Sequence, residues 1–278
     1  MSRTQDSFDQ KKRSILKELA STNEDTPDAS PKGTVDVLCL PIIDLINSSP
    51  DMVTTSSCSG RVSVFLEGVK DIEHDDDIKI GAKGNAGKWL FVTHDPSTLD
   101  NWYNTIDFVS ADEDSLISTA NAKTRYILFK FEPLILHVKC RDENIAKSLY
   151  STAMGCGFRE SGIGSNNNVA IRISIKLDIP IGFLNDKQDE NVLLVTKDYL
   201  EVITKLSHDR FKENFKKMDQ LHQAIDSVIS STVDIIPVET KEQRRERKIK
   251  EGLARRAALL EIKDNDSIKE PVTQVDGA

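Results

Sequence analysis

The stretch Met52–Glu67 reads MVTTSSCSGRVSVFLE, and its reading decides the fold. A β-branched lead-in, Met52–Thr55, meets Ser56-Ser57-Cys58-Ser59-Gly60-Arg61, and a second extended run, Val62–Leu66, follows. β-branched and aromatic residues favour strands, while small polar residues around a glycine mark a turn. The segment therefore predicts two strands joined at a tight polar corner, its hydroxyls and backbone N–H groups turned towards a ligand. A serine-rich hairpin without a ligand is the plainer alternative.

Downstream, residues 67–88 begin acidic and end basic and glycine-rich, as KIGAKGNAGK over 79–88. This is no phosphate loop. The pattern requires glycine at 82 and Ser or Thr after the lysine, where the chain has Ala82 and Trp89. Lys88–His94 then predicts a strand that begins at a cation and ends at an imidazole. Upstream, residues 8–20 predict a short amphipathic helix and residues 21–33 a polar connector. Val35–Asn47 predicts a buried helix that Pro41 splits.

Asp95–Val109 predicts a helix capped at Asp95 with Pro96 in its first turn. Arg125–Cys140, RYILFKFEPLILHVKC, is the most strand-like run, and Glu132-Pro133 within it implies an edge strand or a bulge. A helix follows from Asp142 to Met154, ended by Gly155. A strand over Val169–Leu177 carries Arg172 and is closed by Asp178-Ile179-Pro180-Ile181-Gly182. From Thr196 the chain turns helical, with Phe211, Phe215, Met218, His222, Ile225 and Ile229 on one face. His222 on that stripe reads as a packed residue rather than a ligand. Residues 241–256 carry eight Lys/Arg against three Glu, a salt-bridged solvated helix or a phosphate-contacting appendage. Residues 264–278 read as a disordered tail.

This order lacks regular βαβ alternation. It implies an α+β fold with a mixed or antiparallel sheet, not a Rossmann-type methyltransferase fold, and a C-terminal helical extension. The expected organisation is a domain over 1–205, a helical extension over 206–263 and the tail over 264–278. A net charge of −8 and a pI near 5.3 exclude indiscriminate nucleic-acid binding but not a local basic face. No apolar run approaches the ~20 residues that cross a bilayer. Cys39, Cys58, Cys140 and Cys156 show no CxxC and no Cys/His ligand spacing, so reduced thiols in the cytoplasm and no metal site are expected.

Five segments in order, SSCSGR at 56–61, GKWLFVTH at 87–94, FKFEPLILHV at 129–138, GFRESGI at 157–163 and VAIRIS at 169–174, resemble the tRNA wybutosine-synthesizing protein 3 family, its fungal members in particular. The resemblance covers most of residues 8–205. It implies an S-adenosylmethionine-dependent methyltransferase acting on N4 of a tricyclic guanosine at position 37, in the anticodon loop of tRNA(Phe). No glycine-rich turn after a first strand is available for a dinucleotide-type site, and the family is likewise unlike the common methyltransferase fold. A non-catalytic partner presenting tRNA to a modifying enzyme, with 241–256 as its contact, is the alternative.

Methyl transfer to a ring nitrogen requires alignment of the two reactants and removal of a proton. With the resemblance in hand, Ser57, Ser59, Gly60 and Arg61, with Ser161 and Gly162, are expected to hold the cofactor. Lys88, Trp89, Phe158, Arg159 and Arg172 are expected to meet the RNA, Trp89 or Phe158 by stacking on a base. His94 or His137 is the expected general base, with Glu132 orienting the imidazole or accepting from a ribose. Each has a plainer reading: Arg172 as a surface ion pair, Trp89 as core, His137 as a solvent-facing residue, Cys58 as a small packed side chain.

Overall fold

Alternating apolar residues make Tyr126–Cys140 a single long strand, β4, and the sheet is assembled around it. The computed structural model describes residues 7–21, 36–69, 87–110, 123–233 and 245. Within these lie helices α1 (Ser7–Ser21), α2 (Leu40–Ser48), α3 (Glu143–Gly155) and α4 (Lys197–Val233). The strands are β1 (Met52–Leu66), β2 (Lys88–Thr93), β3 (Phe108–Ser110), β4, β5 (Gly162–Ile163), β6 (Asn168–Arg172), β7 (Leu177–Asn185) and β8 (Glu190–Leu193). They form one sheet in the order β2-β1-β4-β7-β8-β3, antiparallel except for the β3–β8 pair. The chain is thus α+β with a mixed sheet, as the element order implied.

The sheet forks along β4. Its first half, through Phe131, pairs with β7, and its second half, from Ile135, pairs with β6, which carries β5. Pro133 falls in the gap between these two ladders, where a residue without an N–H leaves no β6 or β7 partner unsatisfied. β4 is therefore a central strand with unshifted β1 pairing through Glu132-Pro133, rather than the expected edge or bulge, and the proline is tolerated because the neighbouring strand changes there.

Buried positions of β4 are Ile127, Phe129, Phe131, Pro133, and then Leu134, Leu136, Val138 and Cys140. Two cores lie beneath this face. One gathers Ile42, Ile43 and Ile46 of α2, Ala146, Leu149 and Ala153 of α3, and Met218, Leu221 and Ile225 of α4. The other gathers Leu99, Trp102, Phe129 and Phe131 with Leu200, Ile203 and Phe211. α4 runs past both, with Phe215 packed against each. The boundary expected at residue 205 thus falls inside a continuous helix, and the compact unit extends to Ile229. The basic segment and the tail lie outside the described residues, Arg245 excepted, and so does the connector after residue 21.

Three local expectations are corrected. Met52–Leu66 is one unbroken strand, not a hairpin, because it pairs with β4 along its whole length. Asp95–Val109 forms two 3-10 turns, Pro96–Thr98 and Trp102–Thr105, instead of a helix. Asp95 caps the first by accepting from Ser97 N–H, but Asn101 adopts φ 58°, which ends any continuation. Between Arg172 and Leu177 the chain leaves β6 and starts β7, so Ile179-Pro180-Ile181 continue a strand rather than close one. α1, the split before α2 at Val37–Cys39, and the Asp142-capped α3 follow the sequence reading.

Candidate active site

A strand side chain alternates faces with period two, so residues five apart point opposite ways. Glu132 and His137 on β4 are five apart, as are Arg61 and Ser56 on β1, yet all four lie on the face away from the cores. Both strands change parity at the same place: Ser59 and Gly60 are consecutive buried residues on β1, and Pro133 and Leu134 on β4. Gly60 pairs with Pro133 and has φ 110°, a conformation open to glycine. The break is held from below by Asn214 of α4, fully buried, which accepts from Leu134 N–H at 2.8 Å and donates to Ser59 C=O at 2.7 Å. One helix amide thus joins the two strand backbones where they diverge.

On the open face, about 16 Å of β1 from Ser56 to Arg61 carries two groups of polar residues, and a third, centred on the buried Ser59, lies beside them. In the first, His137 lies between Ser56 Oγ, 2.7 Å from Nδ1, and Arg172 Nη2, 3.1 Å from Nε2. A guanidinium only donates, so Nε2 is the acceptor and the ring proton sits on Nδ1, donating to Ser56. Burial, and then the Arg172 charge, hold the His137 pKa below the ordinary 6.5, so the ring is neutral at pH 7. The Arg172 backbone N–H in turn donates to Ser161 Oγ.

The second group pairs Arg61 Nε with Glu132 Oε2 at 2.7 Å. The guanidinium also lies 5.2 Å from the centroid of Trp89, whose ring packs on Phe65 at 4.8 Å. Trp89 is half-buried and forms a shelf beside the ion pair. In the third group Asp36 accepts from both the N–H and the hydroxyl of Ser59. Donor atoms of Asp36, Cys58 and His94 gather within 4.8 Å of one another. Burial foremost raises the Cys58 pKa, against the opposing pull of a Gly60 backbone hydrogen bond and of Arg61.

The structure thus brings His137, Arg172 and Ser161 together, and Arg61, Glu132 and Trp89 together. Others are placed elsewhere. Ser57 pairs with Leu136, a core residue, and so faces the core side. Ser59 is fully buried with its hydroxyl on Asp36, and Gly60 serves the backbone bend. Phe158 is fully buried in the first core and offers no face to a base. Lys88 and Arg159 are exposed, and Gly162 pairs with Ala170 in β5–β6. Ser56, Asp36 and Asn214 were missed. Ser56 was legible from period-two alternation had the segment been read as one strand; Asp36 and Asn214 act across sequence gaps that no local pattern reveals.

With this geometry in place, the comparison with known proteins is decisive. The family described as Methyltransferase TYW3 matches residues 10–227. The chain belongs to the TYW3 methyltransferase family. tRNA wybutosine-synthesizing protein 3 of Saccharomyces cerevisiae is 52% identical over 268 residues, covering 92% of this chain and 96% of that protein. Its Schizosaccharomyces pombe counterpart is 38% identical over 223 residues, covering 79% and 87%. Among solved structures, the PH1069 protein from Pyrococcus horikoshii OT3 is similar with a TM-score of 0.58 and 26% identity, covering 80% of this chain and 95% of that one. The TYW3 assignment makes the chain a methyltransferase rather than a non-catalytic presenter, on a sheet that is not of the Rossmann type. No helix among the described residues is long and apolar enough to cross a membrane.

Proposed function

We propose that the protein methylates N4 of the tricyclic modified guanosine at position 37 of tRNA(Phe), using S-adenosylmethionine, in wybutosine biosynthesis in the cytoplasm. The observation that carries this reading is the shared open face: the paired parity change puts Arg61, Glu132, His137 and Arg172 on one side of the sheet. When bound, S-adenosylmethionine supplies an electrophilic methyl group on a sulfonium. The residues present fit such a group: Arg61 suits its carboxylate, Glu132 accepts from ribose hydroxyls, and Trp89 offers an aromatic surface.

The remaining chemistry belongs to the protein's own residues. His137 takes the proton that N4 loses, since it is neutral at pH 7 and half-exposed. In the resting arrangement Arg172 occupies its Nε2. The aminocarboxypropyl carboxylate of the substrate is a stronger acceptor for a guanidinium than a neutral imidazole. Arg172 therefore swings to that carboxylate and leaves the Nε2 lone pair available when substrate arrives. Ser56 keeps the ring oriented through Nδ1.

The anticodon loop is met by cations on the same face. Lys139 and Lys130, the latter paired with Asp178, share the open side of β4 with Glu132 and His137, while Lys88, opposite Leu66, and Arg159 add exposed positive charge elsewhere. Local positive charge of this kind offsets the acidic whole. The test is methyl transfer to tRNA(Phe) carrying the unmethylated tricyclic precursor. Position 37 should gain about 14 mass units, one CH2, when protein and S-adenosylmethionine are both present; a tRNA of unchanged mass overturns the reading.

A further inference from the structure

We propose that Asp36, Cys58 and His94 form a binding site for one divalent transition-metal ion, zinc(II) by its donor set. The donors come from three segments: the turn before α2, the middle of β1 and the residue after β2. Their carboxylate, thiol and imidazole donor atoms nevertheless all lie within 4.8 Å of one another. The register explains the meeting. Val62 pairs with Thr93, which brings the end of β2 alongside Arg61 and the middle of β1. Ser59, beside Cys58, donates its N–H and hydroxyl to Asp36 Oδ2, which fastens the turn to the strand.

Donors bound at roughly 2.0–2.3 Å to a tetrahedral ion stand about 3.5 Å from one another. The cluster therefore needs a contraction of at most about 1.3 Å, within the reach of side-chain rotation. One sulfur, one nitrogen and one oxygen donor suit zinc, and cobalt as its spectroscopic substitute; magnesium and calcium take oxygen donors instead. Three protein donors leave a fourth tetrahedral position for water or a substrate atom. Ser59 then fills the role of the hydrogen-bonded support that orients a metal-bound carboxylate. Because each segment gives a single donor, no paired-ligand spacing appears in the sequence.

The site lies beside Arg61, but its existence is independent of the methyl-transfer reading and is measured on the protein alone. Full-length protein stripped with a chelator is titrated with cobalt(II) and then zinc(II). One equivalent of cobalt should produce a near-ultraviolet thiolate-to-cobalt band with visible bands of tetrahedral cobalt, both removed by zinc. Cys58→Ser should abolish the thiolate band while Cys39, Cys140 and Cys156 remain. His94→Ala should weaken zinc binding about 100-fold, and Ser59→Ala about tenfold. Circular dichroism checks that each variant is folded, and the wild-type band stands without any variant. Absence of a thiolate band, its persistence in Cys58→Ser, or zinc binding indifferent to Cys58→Ser and His94→Ala overturns the site and leaves three neighbouring side chains that hold no metal.

Discussion

His137 is where the chemistry and the electrostatics of single residues meet. Burial and the Arg172 charge both lower its pKa, so the acid limb of the pH–rate profile should lie below pH 6.5. Arg172→Ala removes the neighbouring charge and leaves burial. The acid limb should then move to higher pH while turnover falls, as steady-state rates across pH 5 to 8 will show. Stability has a definite sign as well. The native pKa lies below the unfolded one, so the unfolded chain binds more protons as pH falls below 6.5, and stability drops through that window. His137→Gln should flatten this loss, with the two proteins sharing one pH dependence above about pH 7 in urea titrations. Gly60 is the other critical residue. A Cβ there would stand 3.0 Å from Asn214 Nδ2 and 3.1 Å from Glu132 O, on a backbone at φ 110°. Positive-φ strain of about 1–3 kcal/mol adds to that crowding, so Gly60→Ala should lose about 2 kcal/mol or more of stability and most turnover.

At the scale of elements, the paired parity change in β1 and β4 decides which side chains share a face. It depends on a glycine, on a proline at the fork and on Asn214 linking Ser59 C=O to Leu134 N–H. Asn214→Ala leaves both backbone groups buried without that partner, each worth about 1–3 kcal/mol. The variant should be destabilised by about 2–4 kcal/mol. Asn214→Asp keeps the acceptor, loses the donor and should fall between, as urea midpoints at constant slope will report. This is also where the sequence was hardest to read. The residues of Ser56–Arg61 have turn chemistry, and only pairing with a 15-residue β4 makes the segment a strand. Within the serine cluster, alternation sends Ser57 inward opposite Leu136 and Ser56 outward opposite His137, a division that the composition of the segment does not show. Regular elements were legible where the period was clean, as in α1, β4 and the Asp142-capped α3. Asp95–Val109 was not, since its apolar spacing mimicked a helix that Asn101 interrupts.

For the whole molecule, the C-terminal helix α4 packs against both cores, within a compact unit that reaches Ile229. Ending the chain after residue 205 removes Phe211, Asn214, Met218, Leu221 and Ile225, which join both cores and the strand break. That fragment should fail to fold, whereas residues 1–229 should retain a cooperative melt by circular dichroism. The apolar stripe of this helix was plain in the sequence; its attachment was not, because its partners lie far along the chain, as Leu134 lies 80 residues from Asn214 and Cys156 lies 61 from Lys217. The central claim is that one open sheet face, set by the change at Gly60 and Pro133, receives the methyl donor. Hydrogen–deuterium exchange with and without S-adenosylmethionine tests it most directly. Protection should concentrate in residues 56–61, 88–94 and 132–137; protection confined to β7, β8 or the exposed side of α4, with those three segments unchanged, would contradict it.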